Sequence, residues 1–298
     1  MIRAENVTVS FKRAFRRKLK ALDGLSLGIR EGDAFALLGP NGAGKSTAMY
    51  CLMGLIEPDS GTVSVFGEKP RPGAELFKEI AYLPEEPHYH QYLTVEECVA
   101  YYASLYGRKI PRTKIMEAID SVGLAEFRDL KVKKCSKGMK QKLGIAQCLA
   151  ASPKILFLDE PTRGLDPVFS KLFRETLLAL NAGGATIVIN SHVLSEVELI
   201  CNRAAIINKG RVLVEDELSA LQKFEERTYS VEFTCGGAAP ECVQVTARGR
   251  QTMKGEVPAE RLEEFFRHAR AEGLKVYECA LKKNSLESAF MEILGGSP

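Results

Sequence analysis

Residues 39–47 read Gly39-Pro40-Asn41-Gly42-Ala43-Gly44-Lys45-Ser46-Thr47, and this stretch decides the fold. Gly39, Gly42 and Gly44 let the main chain curl until successive N–H groups converge on one anion, a path that residues carrying a Cβ would obstruct. The apolar run 34–38 leads into the loop and a helical pattern starts at Lys45. That is the strand, loop and helix context a G-x-x-x-x-G-K-[ST] motif needs, and helix N-terminal amides add positive potential at the phosphates. The motif predicts a cradle made by residues 39–47, with Lys45 reaching the β- and γ-phosphates of a nucleotide and the Ser46 hydroxyl ligating Mg2+.

A second run, Ile-Leu-Phe-Leu-Asp-Glu at 155–160, ends four apolar residues on two adjacent carboxylates. Four apolar residues in a row suit a strand buried on both faces of a parallel sheet. Asp159 and Glu160 then sit at its C-terminal end, where ligands of open α/β sheets bind. Asp159 is the candidate to hold Mg2+, and Glu160 the candidate to polarise the water that attacks a γ-phosphate. One element holds phosphates and the other supplies metal and water chemistry, so together they predict an ATPase using ATP and Mg2+.

The chain of 298 residues has room for one large α/β domain and a smaller one, and 45% apolar residues are ample for a buried core. A net charge of +3 gives no general reason to expect nucleic acid, although Lys12, Arg13, Arg16, Arg17, Lys18 and Lys20 form a basic cluster. That cluster reads as a solvated loop between two strands, or as a contact for anionic lipid headgroups or an acidic partner loop. No stretch approaches the roughly 20 apolar residues of a spanning helix, and the N-terminus has no apolar core of a secretory signal, so a soluble, cytosolic chain is expected. The eight cysteines show no C-x-x-C spacing and are expected as reduced thiols. His88 and His90 have no obvious third ligand and read as a surface loop.

Strand signals at 2–11, 25–30, 34–38 and 61–66 surround the phosphate loop, and Pro84 and Pro87 open a largely helical stretch to about residue 150. Past the turn Asn208-Lys209-Gly210 and a strand at 211–214, a helix over 216–226 is expected to close the large domain. Beyond it, Tyr229, Val231 and Phe233 alternate as a strand. Cys242, Gln244 and Thr246 are expected to face oppositely to Val243 and Val245 on another, with a break at Gly236-Gly237 between them. Pro258 opens a helix with Leu262, Phe265, Phe266 and Ala269 on one face, 274–281 reads as a further strand, and Asn284 with Glu287 caps a last helix. This small α+β unit carries no catalytic constellation; docking, dimer contact and regulation all stay open for it.

Further motifs carry a resemblance. Cys135-Ser136-Lys137-Gly138-Met139 resembles the LSGGQ signature of ABC ATPases, and Pro161-Thr162-Arg163-Gly164-Leu165-Asp166 is similar to that family's D-loop. The apolar strand 186–190 ends at Ser191-His192, where the family has its switch histidine, and Ala81-Tyr82-Leu83-Pro84-Glu85-Glu86 resembles its Q-loop. The motifs stand in the family's order over about the first 220 residues. The resemblance implies a P-loop NTPase (RecA-like) α/β core with an antiparallel β-subdomain and a helical subdomain at about 86–152. These make up a domain over 1–224, followed by the C-terminal α+β domain over 225–298.

The resemblance also implies a head-to-tail dimer, with itself or with a similar chain. Ser136 and Gly138 would bind the γ-phosphate held by the opposite subunit, Asp166 would join the nucleotide contacts, and His192 would touch the γ-phosphate. Glu85 stands where Gln is usual, which leaves an oxygen for Mg2+ or water, while Lys137 and Met139 replace a Gly and a Gln of the signature. Phe11 is the candidate to stack on adenine and Phe15 the alternative; strand alternation equally predicts that Phe11 is core. The wording of the signature looks like the exporter branch whose ATPase and membrane parts are separate chains. The implied function is therefore the ATP-hydrolysing subunit that powers export through a polytopic membrane permease, peripheral on the cytoplasmic face of the cell membrane, with Tyr89 and Tyr92 placed to touch the permease. A soluble ABC-type ATPase with a non-membrane partner and a regulatory nucleotide-binding module are the alternatives.

Overall fold

The runs 34–38, 155–159 and 186–190 are buried at every position in the computed structural model, as strands covered on both faces of a parallel sheet must be. The structure describes residues 1–12, 18–71, 73–107, 109–221, 224–234, 239–249, 251–283 and 286–295. It divides into two units, Met1–Leu218 and Ser219–Pro298. The first begins with β1 (Ile2–Lys12), β2 (Lys18–Ile29), β3 (Ala34–Leu38), α1 (Lys45–Leu52), β4 (Ser60–Val65) and β5 (Ile80–Leu83). Then come α2 (Val95–Ser104), α3 (Arg112–Ser121), α4 (Lys137–Ala150), β6 (Ile155–Asp159), α5 (Pro167–Ala182), β7 (Thr186–Asn190), α6 (Leu194–Ile200), β8 (Arg203–Asn208) and β9 (Arg211–Glu217).

One sheet has the order β5-β6-β7-β3-β8-β9 and is parallel except for β9, which runs antiparallel to β8. A second, antiparallel sheet has the order β2-β1-β4. Side chains of both sheets and of α1 meet in one core that includes Val7, Leu22, Phe35, Met49 and Phe157, and this packing fixes α1 behind the phosphate loop. Helices α2, α3 and α4 pack on one another. α2 opens on a capping box, Thr94 Oγ1 accepting from Glu97 N at 3.2 Å and Glu97 Oε2 from Thr94 N at 2.8 Å, so two otherwise orphan donors are satisfied at its start.

The expected helix over 216–226 is not formed. Glu217 still pairs with Arg203 in the β8–β9 ladder, so the backbone groups there are committed to the sheet. Only α7 (Leu218–Leu221) is helical, and β10 (Phe224–Thr234) starts three residues later. The second unit continues with β11 (Gln244–Arg248), β12 (Thr252–Pro258), α8 (Leu262–Ala271), β13 (Val276–Lys283) and α9 (Leu286–Ile293), its sheet ordered β11-β12-β10-β13 and antiparallel throughout. Val231, Phe233, Met253, Val257 and Phe265 form its core.

Three expectations for this unit are corrected. β12 was not anticipated, because Gly255 and Pro258 interrupt an alternation whose buried members are Met253, Gly255 and Val257. Cys242 and Val243 are both buried because they precede β11, in a turn where Val243 N donates to Pro240 O at 2.9 Å. Phe266 is 43% exposed and touches the core only edge-on through Phe265. Gly236, Gly237 and Asn284 lie outside the described residues, as do Arg13, Arg16 and Arg17 of the basic cluster.

Arg203 is the main buried charge that joins the two sheets of the first unit. Its guanidinium donates to Asp33 Oδ2 and Glu215 Oε1, each at 2.6 Å, and to Gly28 O at 3.1 Å. Glu215 Oε2 in turn accepts from Gly28 N at 3.1 Å, so β2, β8 and β9 meet on one network. Removing one partner of a buried pair leaves the other charges uncompensated. Arg203→Met is expected to lower the unfolding free energy of this unit by about 3–5 kcal/mol, read as a lower urea midpoint.

Candidate functional site

Three neighbouring strands deliver the site. In the registers of the central sheet Leu37 and Asp159 are both partners of Asn190, so the C-terminal ends of β3, β7 and β6 lie side by side. The chain leaves β3 through glycines with positive φ, 156° at Gly39, 78° at Gly42 and 106° at Gly44. A Cβ would stand 2.2 Å from Ile207 O at Gly39 and 2.5 Å from Ala21 O at Gly44. Space as well as conformation therefore demands glycine at these two positions. Gly44 is the N-cap of α1 and offers no side-chain cap, so the amides of the first turn are left for an anion.

Lys45 is 8% exposed, and its Nζ donates to Gly39 O at 2.7 Å and Pro40 O at 3.3 Å. Burial pulls its pKa below the ordinary ammonium value, against the opposing pull of the Glu160 and Asp159 carboxylates. Asp159 is buried, and burial raises its pKa; the Asn190 hydrogen bond works the other way, Glu160 adds to the rise and Lys45 opposes it. Asn190 Nδ2 donates to Asp159 Oδ1 at 2.6 Å and to Ser46 Oγ at 3.3 Å. A carboxylate only accepts, which fixes the amide's orientation and turns Asn190 Oδ1 away from it. That oxygen is buried and has no hydrogen-bond partner among the described residues.

Glu160 adopts φ 47°, the left-handed region. Two contacts hold it there: its N–H donates to Asn190 O at 2.8 Å, and its carbonyl accepts from Arg163 N at 3.2 Å. Such a conformation in a non-glycine residue costs energy and persists where the surroundings impose it. The side chain meets His192, whose Nδ1 lies 2.7 Å from Glu160 Oε2. Because the carboxylate only accepts, Nδ1 carries the proton and Nε2 is left free to face an incoming group.

A cavity of about 380 Å3 gathers residues 41–47 with Phe11, Glu85, Asp159, Glu160 and Asn190. Gly39 and Pro40 support it from behind through their bonds to Lys45. Phe11 is 43% exposed at the end of β1 and lines this cavity, so strand alternation misleads here and the ring is not core. Phe15 lies outside the described residues. Glu85 is ion-paired with Arg163.

Ser136, Gly138 and Asp166 do not line the cavity. Ser136 is the exposed N-cap of α4, its Oγ accepting from Met139 N at 3.2 Å. Asp166 caps α5 by accepting from Phe169 N at 2.9 Å, a bond that holds its carboxyl below the usual carboxylate range. Sequence reasoning missed Asn190 and Gln141. Asn190 ends an apolar strand much as Asp159 does, which was the available signal. Gln141 is buried with Nε2 donating to Pro161 O at 3.1 Å, tying α4 to the turn after Glu160, and nothing local in the sequence marks it.

Tyr89 is buried rather than offered to a partner. It packs edge-on to Tyr102, and its hydroxyl occupies the space in which a Cβ on Gly144 would stand, 2.5 Å away. Tyr92 is 66% exposed. His90 packs against Tyr92 and Tyr101, and no cluster of three metal-ligating side chains occurs among the described residues. The seven described cysteines are free thiols. No helix among the described residues is long and apolar enough to cross a membrane.

Residues 22–163 match the family model described as ABC transporter. The bacitracin transport ATP-binding protein BcrA of Bacillus licheniformis is 32% identical over 289 residues, which cover 93% of each chain. The chain belongs to the ABC transporter ATP-binding proteins. An uncharacterised ABC transporter ATP-binding protein of Nostoc is 40% identical over 220 residues, covering 72% of this chain and 65% of that one. Among solved structures, the dimeric post-hydrolysis state of the ATP-binding cassette MJ0796 bound to ADP and Pi has a TM-score of 0.68 at 27% identity, covering 73% of this chain and 99% of that chain. The first unit is thus an ABC cassette with a P-loop NTPase core.

This ABC family binds ATP with Mg2+, and the residues present fit both. The crowded Gly39 and Gly44 let backbone donors of the loop approach an anion, Ser46 and Asp159 are hard oxygen donors of the kind Mg2+ takes, and the orphaned Asn190 Oδ1 marks a buried polar position built for further company. A carboxylate whose pKa is raised on folding opposes folding above that pKa, and this penalty fades as pH falls toward the unfolded value. Asp159→Asn is therefore expected to raise the melting temperature of the nucleotide-free protein at neutral pH by about 2–4 °C. The gain should narrow as pH is lowered, and stabilisation by added Mg2+ and ATP should be lost, all read by thermal melting.

Proposed function

We propose that this chain is the ATP-binding and ATP-hydrolysing subunit of an ABC exporter, acting through a separate polytopic membrane permease from the cytoplasmic face of the cell membrane. The observation that carries the reading is the contact of 2.7 Å between His192 Nδ1 and Glu160 Oε2, made by a glutamate that lines the same cavity as Lys45, Ser46 and Asp159. Bound ATP with Mg2+ supplies the transferable γ-phosphoryl group and the charge that neutralises its oxygens.

The chain's own residues then have separable tasks. Glu160 gives one carboxylate oxygen to His192 and keeps the other for the attacking water. His192 holds that carboxylate in place, and Nε2 donates to the γ-phosphate when the ring carries its second proton. Lys45 exchanges its loop carbonyls for phosphate oxygens, Ser46 and Asp159 hold Mg2+ with Glu85 offering a further oxygen, and Asn190 orients both ligands. Phe11 stacks on adenine, a contact worth about 1–3 kcal/mol in comparable base–aromatic pairs.

Ser136, Gly138 and Asp166 complete the site of a second cassette, either another copy or a similar chain. Their position outside their own cavity, with the α4 N-terminus exposed, supports that assignment. A groove of about 280 Å3 lined by Met53, Leu55, Phe77, Tyr102 and Leu105 is the proposed permease contact, since the exposed Leu55 and Leu105 beside half-buried aromatic rings suit an interface core. Likeness to a bacitracin transport protein and the exporter-like signature support the export reading. Glu160→Gln is expected to bind ATP near normally while turning over at least ~100-fold more slowly. Turnover near the parent rate would remove Glu160 as the water-positioning group, and recovery from detergent extracts without a membrane protein would count against the permease.

A further inference from the structure

We infer that Arg163 is a positioning residue for triphosphate binding that acts through Glu85, an inference that rests on the ATP reading above and deepens it. Glu85, Asp159 and Glu160 line one cavity together with two lysines, Lys45 and Lys20, the second of which is already paired with Asp23 at 2.7 Å. Three carboxylates facing one ammonium that has no acid of its own outside the cavity among the described residues form a poor receptor for a polyanion, and the negative charge at position 85 needs a cation beside it. Arg163 answers it: the guanidinium is ion-paired with Glu85 Oε1.

The placement of Arg163 is set by the turn that carries Glu160. Its N–H donates to Glu160 O at 3.2 Å, so the cation is delivered three residues beyond the glutamate and cannot drift independently of it. It also borders the neighbouring cavity in which Glu160 and His192 lie. Glu86, the next acid, has its own cation from a different segment, with Lys137 Nζ at 3.6 Å from Glu86 Oε1. Each charged residue that departs from the usual motif is thus matched by an opposite charge within the same chain. Neutralising Glu85 lets the cavity accept a triphosphate, and the same bond aims the carboxylate along one side of it.

The side chains of this pair are 55% and 37% exposed, so the effect is modest. The test is a double-mutant cycle on the full chain, titrating a fluorescent, non-hydrolysable ATP analogue with Mg2+ at low and at moderate salt. Arg163→Met is expected to weaken binding about threefold to fivefold, the scale of a partly exposed ion pair. In a Glu85→Gln background, whatever its own affinity, Arg163→Met should cost less than about twofold, and Arg163→Lys in the parent should retain most of the affinity. The same loss from Arg163→Met in the presence and absence of Glu85, or no loss at all, overturns the inference while leaving the ATP site standing. Failure of the parent chain to bind the analogue overturns the ATP reading and this inference with it.

Discussion

Asp159 sits buried at the end of a central strand, and the amide of Asn190 that donates to it at 2.6 Å is the contact on which the rest of the site depends. A carboxylate taken out of water without a partner is costly enough to unfold a site or to protonate. Because β7 lies between β3 and β6, only a residue at the end of β7 can bond the acid on one side and Ser46 of the phosphate loop on the other. The carbonyl of the same residue receives the N–H of Glu160 and so helps hold that glutamate in its left-handed conformation. Strand order, a matter of hydrophobic burial and parallel pairing, thereby becomes the spacing between Asp159 and Glu160, the groups proposed to bind a cation and a water.

Much of this was legible in the chain. The glycines of 39–47 and the acids that end 155–160 report directly on backbone geometry and burial, which are local properties. The place of Asn190 at the end of an apolar strand was legible, but its task was not, because that task is defined by two strands distant in sequence. Tyr89 failed for a related reason: an aromatic beside a presumed interface loop looks exposed until α4 presents Gly144, whose missing side chain makes its berth. The segment 216–226 has helical composition, yet the β8–β9 ladder claims its first residues, so tertiary pairing overrode propensity. Phe11 shows the converse, a strand pattern that predicts burial on a strand that has outrun the core behind it.

The charged departures from the usual motif wording are also intelligible only in three dimensions. Glu85 and Lys137, taken singly, look like losses of an amide and of a small residue. In the fold each lies against an opposite charge, Arg163 for one and Glu86 for the other. Residues that seem to weaken a site when read in a line can be complementary when the segments carrying them are neighbours. The second unit is the opposite case: its alternation revealed strands and a covering helix, but a sheet of this kind can serve many ends, and its described residues carry no chemistry that would choose among them.

Gly210, in the tight turn between β8 and β9, has a consequence for how nucleotide is received. Its N–H donates to Ala43 O at 2.8 Å and its carbonyl accepts from Asp23 N at 2.9 Å, while a Cβ there would stand 2.6 Å from Ala21 O. The phosphate loop and the antiparallel sheet that bears Phe11 are thereby bolted to a common bracket. Groups that would grip the two extremities of the same ligand keep their separation without the ligand's help, so little chain ordering is left to occur on association, and affinity is gained by having the receptor ready rather than by moulding it.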